Sequence, residues 1–147
     1  MLTEVKDHFE VLTKAHQSID KMLENLTAEQ WSARPQGTFN SIASVVDHVC
    51  RVEHKFMSAV SGQSIDIDTQ LPFKEATWDV ASIQSTWANM LPEWEGVLEQ
   101  VTADDLERDG LKLGIGTLNR RQLIVYGMGH TLHHRGQIPL LLKLLAL

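Results

Sequence analysis

The sequence predicts an all-α protein built as a four-helix bundle, and three observations carry that reading. Apolar residues recur at steps of three and four along four stretches, the period of a helix with one buried face. No segment shows a convincing strand alternation. The 147 residues suffice for a single domain with one core, 1–147, and are too few for a fusion of two enzymes.

Helix one is expected over residues 4–26, where Val5, Phe9, Leu12, Ile19, Leu23 and Leu26 keep the helical step once His16 is counted between Leu12 and Ile19. Leu26 to Trp31 reads as a short capped turn, and Arg34-Pro35-Gln36-Gly37 as loop. Ser41 or Asn40 caps helix two, whose stripe is Ile42, Val45, Val49, Val52, Phe56 and Val60 before Gly62 ends it. Residues 62–77 hold Gly62 and Pro72 without a sustained period and form a connection. Helix three follows with Val80, Ile83, Trp87, Trp94, Leu98 and Val101, and Pro92 inside it predicts a kink near Asn89 to Pro92. Residues 102–117, with Gly110, Gly114 and Gly116, make the third connection. Helix four takes most of Leu118 to Leu147, with Pro139 expected to bend or restart it.

These connections exceed the roughly 2 to 8 residues that join neighbouring helices in simple bundles. About 16 extended residues cover some 50 Å, so a crossover running the length of the bundle is geometrically allowed.

Composition narrows the partners. Apolar residues at 43% and charged residues at 22% are ordinary globular usage rather than disorder. Thirteen basic against nineteen acidic residues give a net charge of −6, which repels a phosphate backbone, so nucleic acid is not expected as a partner. The lone Cys50 builds no disulfide framework, which favours a reducing, cytoplasmic setting. Charges at Glu4, Lys6, Asp7 and Glu10 interrupt any signal-peptide core. The greasiest segment, Ile138 to Leu147, carries Lys143 and falls short of the roughly 20 apolar residues of a membrane span, so a soluble protein without a membrane partner is expected.

The chemistry is carried by histidines. On helix four the inward stripe is Leu123, Gly127, His130, His134, Ile138 or Gln137, Leu141 and Leu145, which puts two imidazoles where packing favours Leu or Ile. Four residues apart, they lie one turn from each other on one face, the offset that lets two histidines grip one ion. His133 is turned about 100° away and is expected at the rim or in solvent. Two imidazoles bind metal weakly, and His48, flanking the stripe of helix two, is the candidate third ligand. His54 points elsewhere, and it and His8 read as surface. His16 either forms a structural hydrogen bond or lines the same cavity without touching the ion. For the His130/His134 pair, a metal site and a purely structural role stand level at this point.

These residues resemble the DinB-like (DinB/YfiT) metalloenzyme superfamily of four-helix bundles. The resemblance rests on Leu26-Thr-Ala-Glu-Gln-Trp31 with Arg34-Pro35, on Ser41-Ile-Ala-Ser-Val-Val-Asp-His48, and on His130-Thr-Leu-His-His134-Arg135-Gly136-Gln137-Ile138. It implies an up-down-down-up bundle and a three-ligand site for zinc or nickel, with His48, His130 and His134 as ligands. Similar proteins include transferases and isomerases that use low-molecular-weight thiols such as bacillithiol, mycothiol or glutathione, and others without assigned activity.

A divalent ion on three neutral imidazoles keeps a position open to water or substrate, as in catalytic sites. The leading expectation is therefore a metal-dependent enzyme, a thiol-dependent S-transferase or a hydrolase-like enzyme, acting on a small electrophilic substrate. The alternative is a non-catalytic stress-response protein that binds a metal or small ligand, and a third reading makes every histidine structural. Arg135 reads either as a surface salt bridge or as the anchor of an anionic substrate group. Asp47 and Glu53 read either as solvated surface or as acceptors for ligand N–H groups. Cys50 is assigned no role. Leu140-Leu-Leu-Lys-Leu-Leu-Ala-Leu147 is apolar nearly all round, which predicts a homodimer or tight docking within the monomer.

Overall fold

The computed structural model describes residues 1–147. In chain order it contains α1 (Thr3–Leu23), α2 (Ala28–Ser32), α3 (Ile42–Val60), α4 (Val80–Gln100), α5 (Ala103–Glu107), β1 (Asp109–Leu113), β2 (Gly116–Asn119) and α6 (Arg120–Leu144). The long helices α1, α3, α4 and α6 form a helical bundle. Single turns of 3-10 helix lie at Pro35–Gly37 and Leu71–Phe73.

Helix starts follow from capping chemistry. Ser41 and Asp79 accept hydrogen bonds from the third residue beyond them, and Thr27, Thr102 and Asn119 do so in reciprocal capping boxes with Gln30, Asp105 and Gln122. Ser41 rather than Asn40 is thus the cap of α3. Helix α1 ends three residues before the expected boundary, because Asn25 adopts a left-handed conformation at φ 65°, which helical hydrogen bonding does not accommodate.

Two expectations are corrected. Residues 103–119 are not a plain connection: they hold α5 and an antiparallel hairpin whose Leu113 pairs with Gly116 across a two-residue turn. Strands of five and four residues, with a register shift next to Gly110, are too short and irregular to display an alternating pattern. The hairpin lies so close to α6 that a Cβ on Gly110 would meet Leu123 Cδ1 at 2.3 Å. Nor do the prolines interrupt their helices. α4 runs through Pro92 and α6 through Pro139, both on exposed positions. The carbonyl that Pro92 strands belongs to Ala88, itself exposed, so water replaces the missing backbone donor.

Helix α3 is the centre of the core. Ile42, Ala43, Val45, Val46, Val49, Val52, Phe56 and Val60 are all buried, against Met90, Trp94 and Leu98 of α4 and Leu123 and Ile138 of α6. Gly127 lets α6 come close: a Cβ there would sit 3.0 Å from the Phe56 ring. Between α1 and α6, Glu4 meets Arg121 and Ser18 meets Arg135, both pairs 117 residues apart.

One charged residue lies within this core. Glu53 of α3 is only 1% exposed, which corrects its reading as solvated surface. Its Oε1 accepts from His16 Nε2 of α1 at 2.9 Å and from Thr131 Oγ1 of α6 at 2.7 Å, and its Oε2 accepts from Trp94 Nε1 of α4 at 3.0 Å. A single carboxylate therefore joins all four long helices. His16 is further fixed by stacking on Trp87, with ring centroids 3.9 Å apart and planes within 4°. Removing one member of such a buried set strands its partners, so Glu53→Ala is expected to lower the unfolding free energy by about 3–5 kcal/mol in urea titrations. Glu93→Ala, which removes the half-exposed partner of His54, should cost about 1 kcal/mol or less.

Candidate metal centre

The structure brings together His48 of α3 with His130 and His134 of α6. Ligand atoms of the three lie within 4.8 Å of one another. His130 Nε2 is 3.0 Å from His48 Nε2 and 3.1 Å from His134 Nε2. The i, i+4 spacing on α6 places two of these rings on one face, and the close approach of α6 to α3 at Gly127 brings them to the third.

The outer nitrogens decide what the inner ones offer. His48 Nδ1 lies 2.5 Å from the Thr69 carbonyl oxygen, which only accepts, so the proton is on Nδ1 and the Nε2 lone pair faces inward. His134 Nδ1 donates likewise to Gln137 Oε1 at 2.8 Å. His130 Nδ1 is buried without any partner. If His130 carries its proton on Nδ1, three lone pairs point at one another. If it carries the proton on Nε2, a buried acceptor is left orphaned. A cation at the convergence of the three Nε2 atoms takes up all three inward lone pairs and leaves the His130 proton on Nδ1, so the donor set fits a divalent metal.

Protonation does not resolve it. Burial, followed by repulsion from His134 and His48, pushes the His130 pKa down to about 3. Burial first, with repulsion from His48 and His133, lowers His134 to about 4 against the opposing effect of its bond to Gln137. Burial lowers His48 as well, although the Thr69 carbonyl opposes it. All three rings are neutral near pH 7, the state that ligates metal.

The long connection after α3 has a role at this site. It carries Thr69 to His48, and Phe73 packs on the His48 ring at 4.7 Å between centroids. Thr69 and Phe73 had no periodic signal in the sequence. Gln137, three residues beyond His134, had a helical one.

The remaining residues singled out by sequence are not part of the converging set of three. His16 is held by Glu53 and Trp87, and the cavity it borders, with Trp31, Trp87 and Leu91, includes none of the three histidines. Arg135 donates through Nε to Ser18 Oγ at 2.9 Å and forms no salt bridge. Asp47 pairs with Arg51 at 3.3 Å, so neither it nor Glu53 accepts from the three histidines. His133 is exposed, edge-on to His134 at 4.9 Å, and His54 pairs with Glu93 at 2.9 Å. Cys50 is buried and its thiol is pushed far up by burial, which makes it unreactive. A cavity of about 430 Å³ lined by Val125, Tyr126, Gly129, His130 and His133 includes one member of the cluster, His130. The larger one of about 630 Å³, beside Met57, Gly62, Arg108 and Arg120, contains none of its members.

The family model of the DinB superfamily matches residues 12–138, most of the chain. The protein belongs to the DinB superfamily. Solved structures that share its fold include the following two. A conserved protein from Enterococcus faecalis has a TM-score of 0.78 at 14% identity, covering 98% of each chain. YfiT from Bacillus subtilis, described as a probable metal-dependent hydrolase with an unusual four-helix bundle topology, has a TM-score of 0.71 at 15% identity, covering 97% of this chain and 89% of its own. No curated protein matches the chain. At these identities the likeness bears on the fold of this DinB-superfamily member, and its chemistry has to be argued from the site itself.

The depressed imidazole pKa values make a stability prediction. From about pH 6.5 down to about pH 4 the unfolded chain holds protons on His48, His130 and His134 that the folded chain refuses, so the metal-free protein loses stability as pH falls through that window. Urea midpoints measured in chelator are expected to drop over this range, and His130→Ala to flatten the slope.

Proposed function

We propose that the protein is a metal-dependent enzyme whose ion is held by His48, His130 and His134, acting on a small electrophilic substrate. The observation that carries this is the convergence of three Nε2 atoms whose outer nitrogens are fixed by Thr69 and Gln137 or left orphaned. A divalent cation on three neutral imidazoles retains an exchangeable position and supplies a nucleophile at neutral pH by acidifying a bound water or thiol. Zinc or nickel suits this donor set. The protein's own residues supply the rest. Thr69 and Gln137 hold two rings in the ligating tautomer, Phe73 walls off His48, and the apolar cavity bounded by Val125 and Tyr126 receives the acceptor beside His130.

Within this reading we assign thiol-dependent S-transfer as the reaction, with a low-molecular-weight thiol as co-substrate and hydrolysis as the second reaction the same site supports. Of the two expected substrate contacts, Arg135 is the one retained, since two of its guanidinium nitrogens make no hydrogen bond within the protein, whereas His16 is 1% exposed. A reducing, cytoplasmic setting agrees with the single buried cysteine. No helix is long and apolar enough to cross a membrane.

We read the helix order as up-down-down-up. The constant separation of the Glu4–Arg121 and Ser18–Arg135 pairs supports parallel α1 and α6, while Phe56 beside Gly127 and Glu53 bonded to Thr131 support an antiparallel α3. We also propose a homodimer across the outer face of the C-terminal half of α6, where Leu132 and Leu140 are 41% and 55% exposed eight residues apart, with Gly136 between them.

Elemental analysis is expected to find about one metal per wild-type chain, and far less in His130→Ala, with thiol-dependent turnover of an electrophile such as chlorodinitrobenzene lost in parallel. Stoichiometric metal without turnover on a panel of thiols and hydrolysable esters would instead favour a metal-binding protein. For the assembly, sedimentation should give a dimer mass at micromolar concentration and a monomer mass for Leu132→Glu.

A further inference from the structure

We infer that Thr131 and Glu53 are positioning residues for the three-histidine site, setting where His130 stands relative to His48; this rests on the metal-binding reading above. The argument begins with an asymmetry among the ligands. His48 and His134 each have an outer partner, the Thr69 carbonyl and the Gln137 amide oxygen, that holds the ring. His130 Nδ1 has none, although its Nε2 lies between the other two. Its ring is therefore placed by the backbone that carries it.

That backbone is poorly constrained by its own chemistry. The ligand turn lies in a stretch with Gly127, Gly129 and Gly136, each a weak helix former, and Pro139 removes the bond to the Arg135 carbonyl just beyond it. Gly129 and Gly136 would each meet nothing within 4 Å even if given a Cβ, so they contribute no packing. The residue next to His130 is Thr131, fully buried, whose Oγ1 donates to Glu53 Oε1 at 2.7 Å. Glu53 is itself immobilised by His16 and Trp94 and stands on the same helix as His48. The Thr131–Glu53 bond thus fixes both the rotation of α6 and its slide along α3 at the ligand turn. A metal site tolerates only about 0.2 Å in ligand distance, so loosening this contact falls on the ion. Hydrogen-bond partners of ligands are typically worth about 10- to 100-fold in affinity, and a contact that sets a ligand's backbone is expected at the lower end of that range.

Cobalt(II) titration of the full-length protein, read by the ligand-field spectrum and by competition with a chelator, tests this. Thr131→Val keeps the shape and removes the hydroxyl, with Thr131→Ala as a second version should valine be refused by the core. Either is expected to weaken Co²⁺ binding about 10-fold or more and alter the spectrum, while Thr131→Ser restores both to within about threefold. Val101→Ala removes a buried side chain at the C-cap of α4, outside the Glu53 contacts, and is expected to lower the urea midpoint without changing the spectrum. Urea midpoints for every variant separate loss of fold from loss of site. Wild-type affinity and spectrum in folded Thr131→Val or Thr131→Ala would overturn the inference and leave the metal reading intact, as would a Val101→Ala spectrum altered as strongly as theirs. A wild-type protein that binds no Co²⁺ would overturn the metal reading and the inference together.

Discussion

The carboxylate of Glu53 is the interaction on which this structure is organised. A buried ion costs several kcal/mol unless its lone pairs are occupied, and here three donors from three other helices occupy them. Close apolar packing sets how near the helices stand, but it has no directional preference of its own. A carboxylate with fixed donors admits one arrangement. The stacking of His16 on Trp87 and the burial of Trp94 hold those donors in place, so the polar contacts and the apolar core enforce the same geometry.

The histidine cluster depends on that arrangement because its members come from positions 48 and 130–134, far apart in the chain. Three neutral rings with inward lone pairs are an unfavourable assembly by themselves. They come together where α3 and α6 lie close, with Gly127 against Phe56 and Thr131 bonded to Glu53. The long connection after α3 completes the site by delivering a backbone carbonyl, which is an acceptor in any protonation state, to the ring nitrogen opposite the cluster. Folding energy is thus used to hold a site that by itself favours a cation.

Membership of the DinB superfamily and the likeness to the Enterococcus and Bacillus structures establish which scaffold this is. A bundle of this kind can host different reactions, because the walls of the cavity can change while the core that positions the ligands is kept. In this chain the wall beside His130 is apolar, from Val125 and Tyr126, with a glycine between them and His133 at the rim.

Much was legible in the sequence, for reasons of periodicity. The four long helices and their buried faces follow from apolar steps of three and four, and the inward placement of His130 and His134 follows from the same count, since a helix fixes the angle between its own residues. The short hairpin and the unbroken passage of α4 through Pro92 were not legible: the first is too brief to alternate, and the second depends on whether the proline faces water. The charge of Glu53 reads as surface in one dimension, and only packing reveals that His16, Trp94 and Thr131 wait for it. Thr69 acts through its carbonyl, a group every residue possesses, so no side-chain pattern could mark it. The sequence by itself determined which residues share a helical face, because local geometry is set by neighbours in the chain. The tertiary structure alone decided which faces meet, and with them the convergence of three imidazoles, because distances between separate helices are set by close packing and by buried hydrogen bonds that no local rule contains.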